Sequence, residues 1–97
     1  MHLIWTELAD LDLEKIEEYI GRENPLAGID VVLGIINSVA KLLPDHPRAG
    51  RLGRVEGTHE MVINRLPYVV VYREKRGVLE VLRVLRDTQQ WPPQESS

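Results

Sequence analysis

The chain has 97 residues, 43% of them hydrophobic and 28% charged, with a formal net charge of −3. This length allows one compact domain and excludes two ordinary ones, and the charge balance excludes a surface that grips nucleic acid all over. Cysteine is absent, which rules out disulfides and thiolate metal sites and fits a cytoplasmic setting. The opening MHLIWTELADLDLEK lacks the basic start and long apolar run of a signal peptide. No apolar stretch approaches the ~20 residues needed to cross a bilayer, so no membrane partner is expected. Residues 1–40 carry only Lys15 and Arg22 against eight acidic residues, whereas the other ten basic residues fall in 41–97. The two halves therefore face different partners, or each other.

HLIW reads as a short edge strand. Thr6 can cap the helix that follows, with Glu7 and Asp10 in its first turn, where the helix dipole favours negative charge. Ala9, Leu13, Ile16 and Ile20 then form one apolar stripe on an acidic helix ending at Gly21. Asn24 and Pro25 restart a helix as N-cap and first helical residue. Leu26, Ile29, Leu33, Ile36, Ala40 and Leu43 follow at helical spacing, widened by Val32 and Val39, so this helix is expected to be the more buried one. Gly28 and Gly34 cost about 1 kcal/mol each relative to Ala, and close approach to a neighbour is the reason offered for them. Pro44 ends the helix, and the short connection predicts a helical hairpin.

PDHPRAGRLGRVEG reads as a connecting segment. THEMVI, YVVVY and VLEVLRVL then have the texture of three strands, the last two joined by a turn ending in Gly77. The alternation in VLEVLRVL is broken by Glu80 and Arg83. Short turns make these strands an antiparallel meander. The fold class is α+β: an N-terminal strand and a helical hairpin packed on one face of a small, twisted, mainly antiparallel sheet. One domain spans 1–92, and 93–97 form a short disordered tail. The second sheet face is expected to be open, and function is to be sought there.

Candidate chemistry is narrowed by elimination. Ser38 lies inside the second helix and Ser96 and Ser97 in the tail, with no G-x-S-x-G elbow. His2, His46 and His59 form no metal-ligand pair, so no metal or cofactor is expected. GRLGR lacks the order of a phosphate loop and precedes a strand instead of opening a helix. What remains is an arginine set in the second half: Arg48, Arg51, Arg54, Arg65, Arg73, Arg76, Arg83 and Arg86. A planar guanidinium suits phosphate, carboxylate or partly desolvated ion pairs. Either these arginines converge on one sheet face as a docking patch, or they pair with Glu56, Glu60, Glu74, Glu80 and Asp87. His59 could act as a general acid or base, or be an ordinary sheet histidine. Trp91 either packs the chain end on the core or anchors a protein partner.

The segments NPLAG, LPDHPRAGRLGR, GTHEMVI, LPYVVVYR and VLEVLRVLRDTQQWP, in this order from Trp5 to Pro92, resemble the RelE/ParE superfamily of toxins from bacterial type II toxin-antitoxin systems. The resemblance implies a small α+β toxin neutralised by a cognate antitoxin, with operator DNA reached only through that antitoxin. It also implies one of two activities. RelE-like members cut mRNA on the ribosome without a metal, whereas ParE-like members poison DNA gyrase and need no nuclease chemistry.

Metal-free RNA cleavage needs a group to activate the 2′-hydroxyl, stabilisation of the phosphorane charge and a proton for the leaving oxygen. RelE-like central strands commonly read Tyr-Arg-aliphatic-aliphatic-Tyr, and here Val69 takes the arginine place between Tyr68 and Tyr72. After Tyr72 the chain offers Arg86 but no His or Tyr. Arg86 stands where many ParE-like relatives have a histidine, and His59 where many have an arginine. A sequence pI near 5.6 suits a protein target better than the ribosome, where phosphate neutralisation drives binding. The expectation is a ParE-like gyrase inhibitor contacting its target through Arg48, Arg51, Arg54, Arg65, Arg83, Arg86 and Trp91. The alternative is a ribosome-dependent mRNA interferase using His59, Arg83 and Arg86. A third reading is a non-toxic relative that retains only antitoxin binding.

Overall fold

The computed structural model describes residues 1–92; the expected tail, 93–97, lies outside the described residues. Strand β1 (His2–Trp5) leads into helices α1 (Glu7–Gly21) and α2 (Pro25–Leu42), and strands β2 (Arg51–Leu52), β3 (His59–Val62), β4 (Tyr68–Lys75) and β5 (Val78–Arg86) follow. The sheet order is β1-β5-β4-β3-β2. β1 runs parallel to β5, and every other pairing is antiparallel. The α+β class and the helical hairpin agree with the sequence reading. The two-residue strand β2, inside the segment read as a connection, is an addition to it.

Both helix starts follow from local chemistry. Thr6 accepts the Ala9 N–H at 3.2 Å and Asn24 accepts the Ala27 N–H at 3.1 Å, each satisfying a donor that the first helical turn leaves without a partner. The β4–β5 loop is Arg76-Gly77 with φ of 54° and 77°. Positive φ at both central positions is what a two-residue hairpin with matched twist requires. Opposite residues in a ladder share a face, so Tyr68, Val70 and Tyr72 of β4 join Leu79, Val81 and Val84 of β5 in the core beneath the helices.

β5 contains a bulge. Val71 pairs with Arg83 and Tyr72 with Val81, leaving Leu82 as an extra residue. The bulge reverses the alternation: Leu79 and Val81 face the helices before it and Val84 after it, while Arg83 turns to the other face. This is the physical reason for the broken pattern seen in the sequence. The Leu82 carbonyl accepts a hydrogen bond from the Thr6 hydroxyl at 3.1 Å, so the helix cap also closes the bulge.

Two expectations are corrected. First, the second sheet face is not open at its centre: Val69, Val71, Glu60 and Leu85 are each at most 2% exposed. Second, the apolar stripe assigned to the buried side of α2 lies largely outside. Leu26, Ile29 and Leu33 are 73%, 42% and 50% exposed, while Ile35 and Val39 are fully buried. Gly28 does permit close approach, since a Cβ there would lie 2.6 Å from the Glu17 carbonyl oxygen on α1; Gly34 would meet nothing within 4 Å. α2 is 18 residues long with mean hydropathy 1.5, so by length and composition it approaches a membrane span, contrary to the first reading of the sequence. Its inner face nevertheless packs into the core with α1.

Candidate functional site

Three arginines of the second half form two groups, each organised by a buried carboxylate, and Arg73 pairs with Glu80 at 2.8 Å. In the first, Glu60 of β3 stands opposite Arg51 of β2 and Val71 of β4. Its side chain is 1% exposed and receives Arg51 at 3.2 Å and Arg54 at 3.1 Å. The Arg54 backbone N–H donates to the same carboxylate at 2.9 Å. Burial alone would raise the Glu60 carboxyl, but the Arg54 side chain, the Arg54 N–H and Arg51 outweigh it and hold the group below the usual carboxylate range. Arg54 is raised in turn by its hydrogen bond to Glu60. RAGRLGR is thus a loop clamped to the sheet. The Gly53 N–H donates to the Thr58 carbonyl at 2.8 Å, and the Gly50 N–H donates to the Tyr72 hydroxyl at 2.9 Å. The outer parts of Arg51 and Arg54 stay in solvent, at 60% and 43% exposure.

In the second group Asp12 of α1 seals an open strand edge. β1 ends opposite Val81, so beyond that point the same side of β5 has no strand neighbour. Asp12 Oδ2 accepts the Val84 N–H there at 2.9 Å and Arg83 Nε at 2.7 Å, and Oδ1 accepts Arg83 Nη2 at 3.0 Å. The bidentate pair raises the Arg83 guanidinium against the opposing effect of burial. Arg83 also lies over the Trp91 ring at 5.6 Å, a cation–π contact. This pair is the contact by which the acidic half of the chain meets the basic half.

The other sequence candidates are scattered. Arg48 is exposed in the turn after α2, and Arg65 is exposed in the β3–β4 turn with φ of 65°. His59 is half-buried and stacks on Tyr72 with ring centres 5.6 Å apart. By register it is on the helix side with Tyr72, whereas Glu60 and Arg83 are on the other, although the Arg83 guanidinium meets Asp12 of α1. Of the proposed nuclease set, His59 and Arg86 share one face by register, and Arg83 is bound to Asp12. Tyr72 is raised by burial, against the Gly50 N–H. Among the described residues no group of three metal-ligating side chains occurs.

Arg86, opposite Tyr68 at the end of β5, borders a groove of about 300 Å³ between α1 and the sheet, lined also by Lys15, Tyr19, Tyr68 and Gln89. A second groove, about 480 Å³, runs between the end of α2 and the outer edge of β3 past Leu42, Met61, Val62 and Asn64. Sequence reasoning had not singled out Lys15, Tyr19, Tyr68 or Asp12. Only Asp12 offered a signal, a carboxylate within the apolar register Ala9–Leu13.

A small α+β domain with a helical hairpin over a five-stranded mixed sheet is the form of a toxin from a bacterial toxin-antitoxin pair. Residues 3–91 match the profile of the ParE toxin of the type II toxin-antitoxin system parDE, and the chain belongs to that family. It is 40% identical over 88 residues, 91% of this chain and 90% of the relative, to Y4kP of Sinorhizobium fredii, which carries a provisional toxin name. It is 32% identical to Toxin RelE2 of Caulobacter vibrioides, over 84% of this chain and 90% of that one. Among solved structures, the chromosomal ParDE toxin-antitoxin system from P. aeruginosa superposes with a TM-score of 0.80 at 30% identity, covering 89% of this chain and 95% of that chain.

Proposed function

We propose that this toxin acts in the cytoplasm as a ParE-like inhibitor of DNA gyrase and is neutralised by a cognate antitoxin. The observation that carries the reading is the match to the ParE toxin family along nearly the whole chain. The commitment of the Arg83 guanidinium to Asp12 supports it, because metal-free RNA cleavage needs a phosphate-binding cation free to meet the scissile bond. The exposed sides of Arg51 and Arg54 are the patch offered to the target, with Arg48, Arg65, Arg86 and Trp91 as separate further contacts.

The antitoxin has two places to dock. Beyond Glu60 the outer edge of β3 has no strand partner among the described residues, and an added strand would fill the groove beside Met61 and Val62. Lys15 and Arg86 flank the second groove and suit an acidic segment. The test is supercoiling by purified gyrase with stoichiometric toxin: inhibition relieved by antitoxin is expected, and unchanged supercoiling would refute the gyrase reading. The mRNA-interferase reading draws support from the name of one relative, Toxin RelE2. Codon-positioned cuts in ribosome-bound mRNA would establish it.

A further inference from the structure

The outward apolar residues of α2 have an order of their own. Leu26, Ile29, Leu33, Ile36 and Ala40 recur at spacings of three, four, three and four, the repeat of a seam between two helices. Leu26, Ile29, Leu33 and Ala40 are exposed and Ile36 is half-buried, although Gly28, Ile35 and Val39 already supply the buried face of the same helix. A contiguous apolar strip left on the surface marks an interaction site.

Charge selects the occupant. The only ionisable residues within α2 are Asp30 and Lys41. At about 100° per residue their separation returns them to within about 20° of each other around the helix, so both border the same flank of the seam. Both are exposed, and neither has an ion-pair partner among the described residues. One stands toward the start of the helix and the other at its end. A copy of the same helix laid antiparallel therefore sets each charge near its opposite, whereas a parallel copy sets like beside like.

We propose that the outer seam of α2 receives a second copy of this chain, with the two helices antiparallel about a two-fold axis passing midway between Leu33 and Ile36. In this arrangement Leu33 of each copy faces Ile36 of the other and Ile29 faces Ala40, while Asp30 approaches Lys41 across the rim. Ala40, small and exposed at the end of the seam, faces Ile29 and so keeps the ends of the interface close. The interface is self-complementary and closes at two copies. It goes beyond the toxin reading and does not depend on it.

Sedimentation equilibrium of the purified full-length chain over roughly 1 to 200 µM tests it through mass action. A species of twice the 11.1 kDa chain mass is expected at the upper end. Asp30→Lys alone or Lys41→Asp alone should weaken self-association by about tenfold, because two rim pairs become like-charge contacts, and the combined exchange should restore it. Leu33→Asp should leave a monomer whose circular dichroism and melting match the parent. A chain that stays monomeric throughout, a dimer indifferent to the single charge changes, or a double exchange that restores nothing would overturn the proposal. So would a monomer in which Leu33→Asp weakens only antitoxin binding.

Discussion

Asp12 and Glu60 are two buried carboxylates that do nearly the same chemistry with opposite consequences. Each accepts a backbone N–H, from Val84 or Arg54, and each holds arginine. Asp12 joins a helix to a strand edge 71 residues away in sequence, and the Arg83 side chain it holds is only 20% exposed. Glu60 ties down a loop six residues away, and its two arginines keep about half of their side-chain surface in solvent. One carboxylate consumes its arginine in the fold. The other aims its arginines while leaving them able to meet a partner.

The comparison is broken most directly at Asp12. Asp12→Ala strands both the Val84 N–H and the Arg83 guanidinium and should cost about 3 kcal/mol, read by urea denaturation; a loss no larger than that of an exposed residue would show that the edge is sealed some other way. Glu60→Gln keeps the shape but removes the charge, and should cost about 2 kcal/mol while loosening 50–54, visible as faster amide exchange in that loop.

The same site predicts a pH dependence. In the folded chain Glu60 titrates below its ordinary value, so it binds fewer protons there than in the unfolded chain. Its contribution is complete above the unfolded value of about 4.3 and is lost as pH falls through the folded one. The stability gap between the parent and Glu60→Gln should therefore narrow between neutral pH and pH ~3. A gap of constant size would mean that packing, not charge, explains the effect.

Smaller effects separate aiming from folding. Arg51→Ala should change stability by about 0.5 kcal/mol or less, because its side chain is mostly solvated, yet reduce growth inhibition in cells lacking antitoxin. Arg86→Ala, on an exposed strand end, should have the smallest effect on stability, within about 0.5 kcal/mol. If either variant unfolds, its arginine belongs with Arg83 on the structural side of the comparison.

What was legible in the sequence was local. Thr6, Asn24, Pro25 and Gly77 announced helix starts and a turn because capping and positive φ depend on residues close in the chain. The Leu82 bulge was visible only as a broken alternation, since an extra residue and a poor strand look alike until the partner strand is known. Arg51–Leu52 is too short for any periodicity to appear. The seam on α2 was recognised and placed on the wrong side, because spacing identifies a stripe without saying what covers it. The candidate arginines were legible as a group but not by role. The Asp12–Arg83 pair spans most of the chain, and no nearby residue signals it.

The pairing of β1 with β5 has a consequence in time. His2–Trp5 aligns with Val78–Val81, so β1 must wait for a strand far along the chain before the sheet can close. A nascent chain with its final strand still inside the ribosome lacks the ladder that fixes β1, the bulge that meets Thr6 and the edge that Asp12 seals. The long loop between these strands also slows closure. Until β5 is available, then, β1, the bulge and the sealed edge all lack the strand that holds them.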